Sequence, residues 1–345
     1  MRRGLAAYGI GLALTLGLLV TGSRDVGAAT EADQFLAYEV LFEGIRITSE
    51  LGSRPRVVVR HGAEPRWSPD GKRIAFLSDH GLPSSHECFG EEGNVPDCPL
   101  ALFVVNPDGS GLRRLTKFDE LDVFSQESFT WSPDSRRLAF VASSSYPDPD
   151  GPFHLHVVKV DGTGTRRLTR NPNDELWPAW SPVSERIAFE YGCCLRTINA
   201  DGSGERRFTR ASAKAPFWSP DGAWIAFSST KSPSGLRIMS TRSGHDRLLA
   251  RIRVQSGSWR PHPGTWSPDS RVLAFNGRGL ETVSVDGTNR RRLDARGGFP
   301  TWSPDGVTIA YMIDLHKGIW VIRPDGTERR RLTSSGYLPQ WRPHP

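Results

Sequence analysis

The chain has 345 residues, among them 35 glycines, 26 prolines and 11 tryptophans, with 37% hydrophobic residues, 24% charged residues and a formal net charge of +6. Enough of it is apolar to bury a core, and the turn-rich, aromatic-rich mixture favours one large all-β domain over two or three average ones. Helical spacing of apolar residues is hard to find after residue 20, and the mild basicity argues little for a nucleic-acid partner.

Arg2 and Arg3 precede an uncharged apolar run from Leu5 to Val20, and the small residues Gly27, Ala28 and Ala29 follow. Basic, then apolar, then small is the order of a secretory signal peptide, and the run is short for a membrane span of about twenty residues. Residues 1–28 are therefore expected to be a cleaved export signal. Residues 29–345 are then expected to form one domain, secreted or in the cell envelope, with no stable membrane span and no cysteine near the cleavage site to carry a lipid anchor.

The mature chain opens with three short strands, Phe35–Val40, Gly44–Ser49 and Pro55–Arg60. The string Trp-Ser-Pro then begins at Trp67 and recurs at Trp131, Trp180, Trp218, Trp266 and Trp302, and Trp-Arg-Pro begins at Trp341. Five copies continue with an aspartate (Asp70, Asp134, Asp221, Asp269, Asp305), while one carries Val183 in that place. An apolar strand follows each, the first being Ile74-Ala75-Phe76. A second turn comes at Asp108, Asp161, Asp201, Asp286 and Asp325, each followed by glycine and then by a strand of the Arg-Arg-Leu-Thr kind. Proline presets one turn angle and aspartate bonds its own turn backbone, so both turns read as tight links between antiparallel strands. Each unit is thus four strands, and the period of about 44 residues is that of a propeller blade.

Two cysteine pairs interrupt the pattern. Cys88 and Cys98 lie in a polar insertion and are expected to form a loop disulfide in an oxidising compartment, a metal site with His86 and Glu87 being the alternative. Cys193 and Cys194 are adjacent, and both a strained bridge and free thiols remain open.

The ends complete the architecture. Trp341 closes a single strand, and the N-terminus supplies the three strands that this strand lacks. Their union closes the ring and removes the exposed edge of an open array. Seven blades are expected, or six if the unit between residues 180 and 218 is degenerate. The repeated Trp-Ser-Pro-Asp-Gly, apolar strand, Asp-Gly and Arg-Leu-Thr pattern resembles the TolB-type β-propeller family across nearly the whole mature chain. That resemblance implies the fold and a general scaffolding role in the envelope. The α/β domain that precedes the propeller in TolB itself is not expected here, because too few residues precede Phe35 to form one.

Both repeated turns fall on one face, so the long, dissimilar connections fall on the other, where binding is expected. The partner-binding candidates there are Glu64, Arg66, Asp119, Asp174, Trp177, Arg251, Arg253, Trp259, His316 and Tyr337, with Glu120, Asp122, Glu175, Asp314 and Lys317 beside them. The repeated tryptophans are read as packing between blades. The arginine groups Arg113-Arg114, Arg166-Arg167, Arg206-Arg207, Arg290 to Arg292 and Arg329 to Arg331 are read as a basic outer belt that discourages edge pairing, adhesion to an acidic envelope polymer or glycan being the alternative. No G-x-S-x-G elbow or H-E-x-x-H pair is present, so the expected function is a non-catalytic, monomeric scaffold for a protein partner, without cofactor. The alternative is a carbohydrate-binding or polysaccharide-lyase-like propeller whose metal is held by carboxylates and by histidines such as His61, His154, His156, His262 and His316.

Overall fold

The structure, a computed structural model, describes residues 34–40, 43–52, 55–79, 100–117, 121–123, 128–143, 151–209, 213–252, 264–313 and 317–344. Residues 1–28, Cys88 and Cys98 lie outside the described residues.

Seven antiparallel sheets make seven blades. Blade 1 is composite: strand Tyr337–Trp341 pairs with Phe35–Val40, which pairs with Gly44–Ser49 and then Arg56–Val59. Blades 2 to 7 follow in chain order. Their innermost strands are Ala63–Trp67, the pieces Asp122–Val123 and Phe129–Trp131, Glu175–Trp180, Lys214–Trp218, Thr265–Trp266 and Gly298–Trp302. The unit between residues 180 and 218 is a full four-stranded blade, which settles the count at seven. Among the described residues no helix occurs.

Each blade buries both faces against its neighbours. The second strands carry an aromatic at one repeated place (Tyr38, Phe76, Phe140, Phe189, Phe227, Phe275, Tyr311), and all of these are essentially inaccessible to solvent. Burying such side chains contributes on the order of 2 kcal/mol each. The repeated tryptophans close the other end of the blade, and four of the seven also bond across blades. The indole N–H of Trp67 donates to the carbonyl of Gln340 (3.1 Å), that of Trp131 to Arg66 (3.0 Å), that of Trp218 to Ala179 (3.0 Å) and that of Trp266 to Phe217 (3.5 Å). In every case the acceptor is the residue just before the tryptophan of the preceding blade.

The outer arginines stitch as well. Arg113 donates to the carbonyl of Asp161, Arg166 to Asp201, Arg247 to Asp286 and Arg291 to Asp325, each reaching the second turn of the next blade. Arg330 completes the series by donating to the carbonyl of Glu50 in blade 1. The basic belt expected from sequence exists, yet much of it is a set of bonds between blades.

The Trp-Ser-Pro-Asp turn is held by its own side chains. In blade 3 the Ser132 hydroxyl donates to Asp134 (2.5 Å), and the Asp134 carboxylate also accepts the Arg136 N–H (3.1 Å). Burial pushes the Asp134 carboxyl upward, but the serine hydroxyl, that N–H and two arginine charges outweigh it and hold the group below the usual carboxylate range. In blade 4 Val183 replaces the aspartate, is 62% exposed, and offers only its N–H to Ser181 (3.3 Å). Asp134→Ala should therefore lower stability by about 1 kcal/mol, and Val183→Asp should raise it by about half that, as for one net side-chain hydrogen bond. Urea midpoints at neutral pH at constant m-value measure both; no change in either variant would mean the turns hold without their caps.

Candidate functional site

The sequence repeats a second motif beside the tryptophans. In five innermost strands the residue three before the tryptophan precedes a proline: Glu64-Pro65, Trp177-Pro178, Ala215-Pro216, Phe299-Pro300 and Leu338-Pro339. All five first residues adopt a left-handed backbone, with φ between 47° and 54°, and each sits at a bulge in the strand pairing. Such angles in residues other than glycine are stored strain of order 1–3 kcal/mol. The following proline needs no ladder partner, so it fits a point where the pairing is broken. Innermost strands of successive blades touch at five of the seven joints, so the bulges gather at the channel on the face of the variable loops.

A bulge leaves an N–H without a ladder acceptor, and the preceding blade supplies one. Glu39 accepts the Glu64 N–H (2.9 Å), Asn276 accepts the Phe299 N–H (2.7 Å), and Glu190 accepts the Ala215 N–H. Those three acceptors occupy one repeated place, directly after the buried aromatic of the second strand. Tyr337 donates its hydroxyl to the other oxygen of Glu39, so Glu39, Glu64 and Tyr337 form a buried polar knot between blades 1 and 2.

Several candidates thus stand elsewhere than the sequence suggested. Glu64 and Tyr337 are buried, and Trp177 and Tyr337 belong to innermost strands rather than to loops, because the bulge lets the strand run past the proline. Arg66 is in the same strand as Glu64, with its guanidinium 5.6 Å from the centre of the Phe129 ring. Asp174 is exposed and accepts the Phe153 N–H (3.0 Å). Its neighbour Glu175 is wholly buried and accepts the Leu155 N–H (2.8 Å), the Thr169 hydroxyl and the Asn171 amide, so it is a loop anchor and no surface charge. Arg251 is exposed at the end of the outer strand of blade 5. Asp119, Arg253, Trp259 and His316 lie outside the described residues.

Trp177 is half-buried at the mouth, with the Lys214 ammonium of the next blade 5.9 Å from its ring centre. Lys214 also approaches Glu190 (3.5 Å). Burial pushes the Glu190 carboxyl up to about 7, with Lys214 and the Ala215 N–H opposing that only in part. Lys214 is nearly half exposed, and a solvated ammonium repays little of a buried carboxylate's lost hydration.

Of the five candidate histidines, His262 and His316 lie outside the described residues, and the other three do not come together. His61 lies in the link between blades 1 and 2, and His154 and His156 lie in the third strand of blade 3. His156 stacks on Phe140 (5.4 Å), and burial pushes its pKa down to about 4. Among the described residues no group of three or more His, Cys, Asp or Glu side chains is placed to hold a metal ion. The adjacent cysteines are free thiols at the tip of blade 4, with their sulfurs 2.7 Å apart, Cys193 exposed and Cys194 buried beneath the Arg207 guanidinium (2.9 Å).

Comparison with known proteins adds the lineage. Residues 124–304 match the TolB beta propeller domain family. An uncharacterised protein of Agrobacterium fabrum is 26% identical over 277 residues, covering 72% of this chain and 83% of its own length. TolB from Acinetobacter baumannii superposes with a TM-score of 0.53 at 15% identity, covering 91% of this chain and 67% of its own. An oligogalacturonate lyase in complex with manganese superposes with a TM-score of 0.60 at 13% identity, covering 84% and 89%. At such identities the structural likenesses speak to the fold alone.

Two outcomes follow at the mouth. A carboxyl that titrates higher in the folded than in the unfolded chain binds more protons when folded, so it lowers stability as pH rises from about 4.5 to about 7. Glu190→Gln should therefore stabilise the protein at pH 8 by about 1–3 kcal/mol and hardly at all at pH 4, read from paired denaturation curves. Equal effects at both pH values would show that Glu190 is not protonated on folding. With iodoacetamide under reducing conditions, Cys193 should be labelled well before Cys194 by peptide mass mapping.

Proposed function

This chain belongs to the TolB β-propeller family, and from that premise we propose that it is an exported, non-catalytic scaffold that binds a protein partner across the loop-bearing face. The export signal of residues 1–28 belongs to this reading, as does a location in the cell envelope. The supporting observation is the contrast between the two ends of the ring. On the turn-bearing face the same residues recur and spend their polar groups on their own turns and on neighbouring blades. At the opposite end the backbone repeats but the side chains do not: one strained position carries Glu64, Trp177, Ala215, Phe299 and Leu338 in turn. A rigid frame holding unlike residues at equivalent places is the arrangement of a recognition surface.

Trp177, Phe299 and Leu338 are all partly exposed there, and aromatic anchors at the centre of an interface carry a large share of binding energy. The buried knot of Glu39, Glu64 and Tyr337 acts as positioning, holding the mouth in shape. Asp174 and Arg251, with Asp119, Arg253, Trp259 and His316, are proposed as the surrounding rim.

A photoreactive amino acid in place of Trp177, irradiated in an envelope extract, should attach to one polypeptide in constant proportion, and the adduct should vanish when unlabelled wild-type protein competes. Adducts with glycan alone, together with a bound stoichiometric metal, would overturn the scaffold reading in favour of a carbohydrate-active propeller.

A further inference from the structure

A second feature lies at the outer strands of two neighbouring blades. Between blades 5 and 6 an open cleft of about 590 Å³ is lined by Arg251, Arg278, Glu281, Arg290 and Arg292. Its one carboxylate is already spent. Glu281 is buried and accepts the Arg278 backbone N–H (2.7 Å) and the Arg290 Nε–H (2.7 Å). Arg290 is fixed further, with its guanidinium 5.6 Å from the centre of the Phe275 ring and a bond to the Arg251 carbonyl (3.3 Å). The guanidinium groups of Arg251, Arg278 and Arg292 have no acceptor among the described residues. Three unpaired cations therefore converge on one recess, whereas other unpaired arginines such as Arg136, Arg206 and Arg242 are scattered on separate blades.

The cleft is built. Arg278 is the single residue between paired Gly277 and Gly279, at the tip of the hairpin that joins Val272–Gly277 to Gly279–Ser284. A side chain at 277 would strike the Glu281 carboxyl, and one at 279 would strike the Asp294 carbonyl at 2.2 Å. The glycines thus let the carboxylate tuck beneath Arg278 and leave its side chain at the tip. A second observation comes from the sheet edges. Four blades end in outer strands of only two residues, but blade 5 ends in Asp246–Arg251 and blade 6 in Arg291–Asp294. Each is the terminal strand of its sheet and pairs on one side only. Among the described residues, two of the longer outer edges therefore flank this group of three unpaired guanidinium groups, the outer strand of blade 1 being the other.

Resting on the reading of this protein as a partner-binding scaffold, we infer that the arginine cleft between blades 5 and 6 docks an acidic, extended peptide segment of the partner. Carboxylates take the arginine forks in pairs of charge-assisted bonds, and an extended chain adds main-chain bonds along an open edge. A second copy of this chain is disfavoured as the occupant, because it would bring arginine against arginine.

The test is titration of fluorescent octaglutamate into the purified protein at low and moderate salt. Saturable binding is expected, weakened at least about tenfold by the triple change Arg251→Ala, Arg278→Ala and Arg292→Ala, as expected for lost charge-assisted pairs. The triple change Arg136→Ala, Arg206→Ala and Arg242→Ala removes equal charge elsewhere and should leave binding as in the wild type. Melting temperature should differ little among the three proteins, since none of the removed guanidinium groups makes a hydrogen bond or a close ion pair among the described residues. Absence of peptide binding, or equal loss in both triple variants, overturns the inference. So does retention of inorganic phosphate or trigalacturonate at the cleft with octaglutamate excluded, which would make it a small-anion site. If a partner still crosslinks at position 177 while the cleft ignores octaglutamate, the scaffold reading stands and this inference alone falls. If the cleft selects octaglutamate but no polypeptide crosslinks at 177, the cleft's chemistry holds and the scaffold reading falls.

Discussion

A four-stranded blade has two apolar faces and can hide neither by itself. Everything else in this protein follows from that constraint. The buried aromatic of each second strand needs the next blade as its wall, so the units must stack, and a stack without a closing partner would leave one face wet. The ring answers this, and the polar bonds then adjust it. Indole N–H groups reach back to the preceding blade near the axis, and arginines reach forward to the next blade at the rim. Packing between blades is thus framed by hydrogen bonds at both radii, in opposite directions around the ring.

How much of this could be read in the sequence depends on how local each cause is. The turns are local: serine, aspartate and the N–H groups they satisfy lie within five residues, so a repeated string carries the full explanation. The blade count was equally legible, because every blade spends one tryptophan. The mouth was harder to read. Its strained positions do leave a trace, a proline two residues before the tryptophan, but their acceptors sit on a different blade and vary between Glu39, Glu190 and Asn276. No repeated letter marks them. For the same reason Glu64 and Glu175 looked like surface charges, whereas Glu64 is buried with its own N–H on the Glu39 carboxylate of the preceding blade, and Glu175 accepts the Leu155 N–H twenty residues back.

The arginines teach a related lesson about charge. Read along the chain they form one basic belt with one purpose. In three dimensions they divide: Arg113, Arg166, Arg247, Arg291 and Arg330 serve carbonyl groups of the next blade, while the guanidinium groups of Arg251, Arg278 and Arg292 find no acceptor among the described residues. Composition could not separate the two groups, because the difference lies in whether an acceptor stands opposite.

The composite first blade bears on how the molecule is made. Every other sheet is drawn from neighbouring sequence and can assemble as the chain emerges, whereas Tyr337 must find Glu39 across 298 residues. Closing so long a loop is slow and entropically unfavourable, and it comes last. Until then strand Phe35–Val40 has one unpaired edge, and the apolar wall of blade 1 is open to other strands. Until the last strand docks, a nearly finished ring therefore keeps one edge on which a second copy of the same chain could pair.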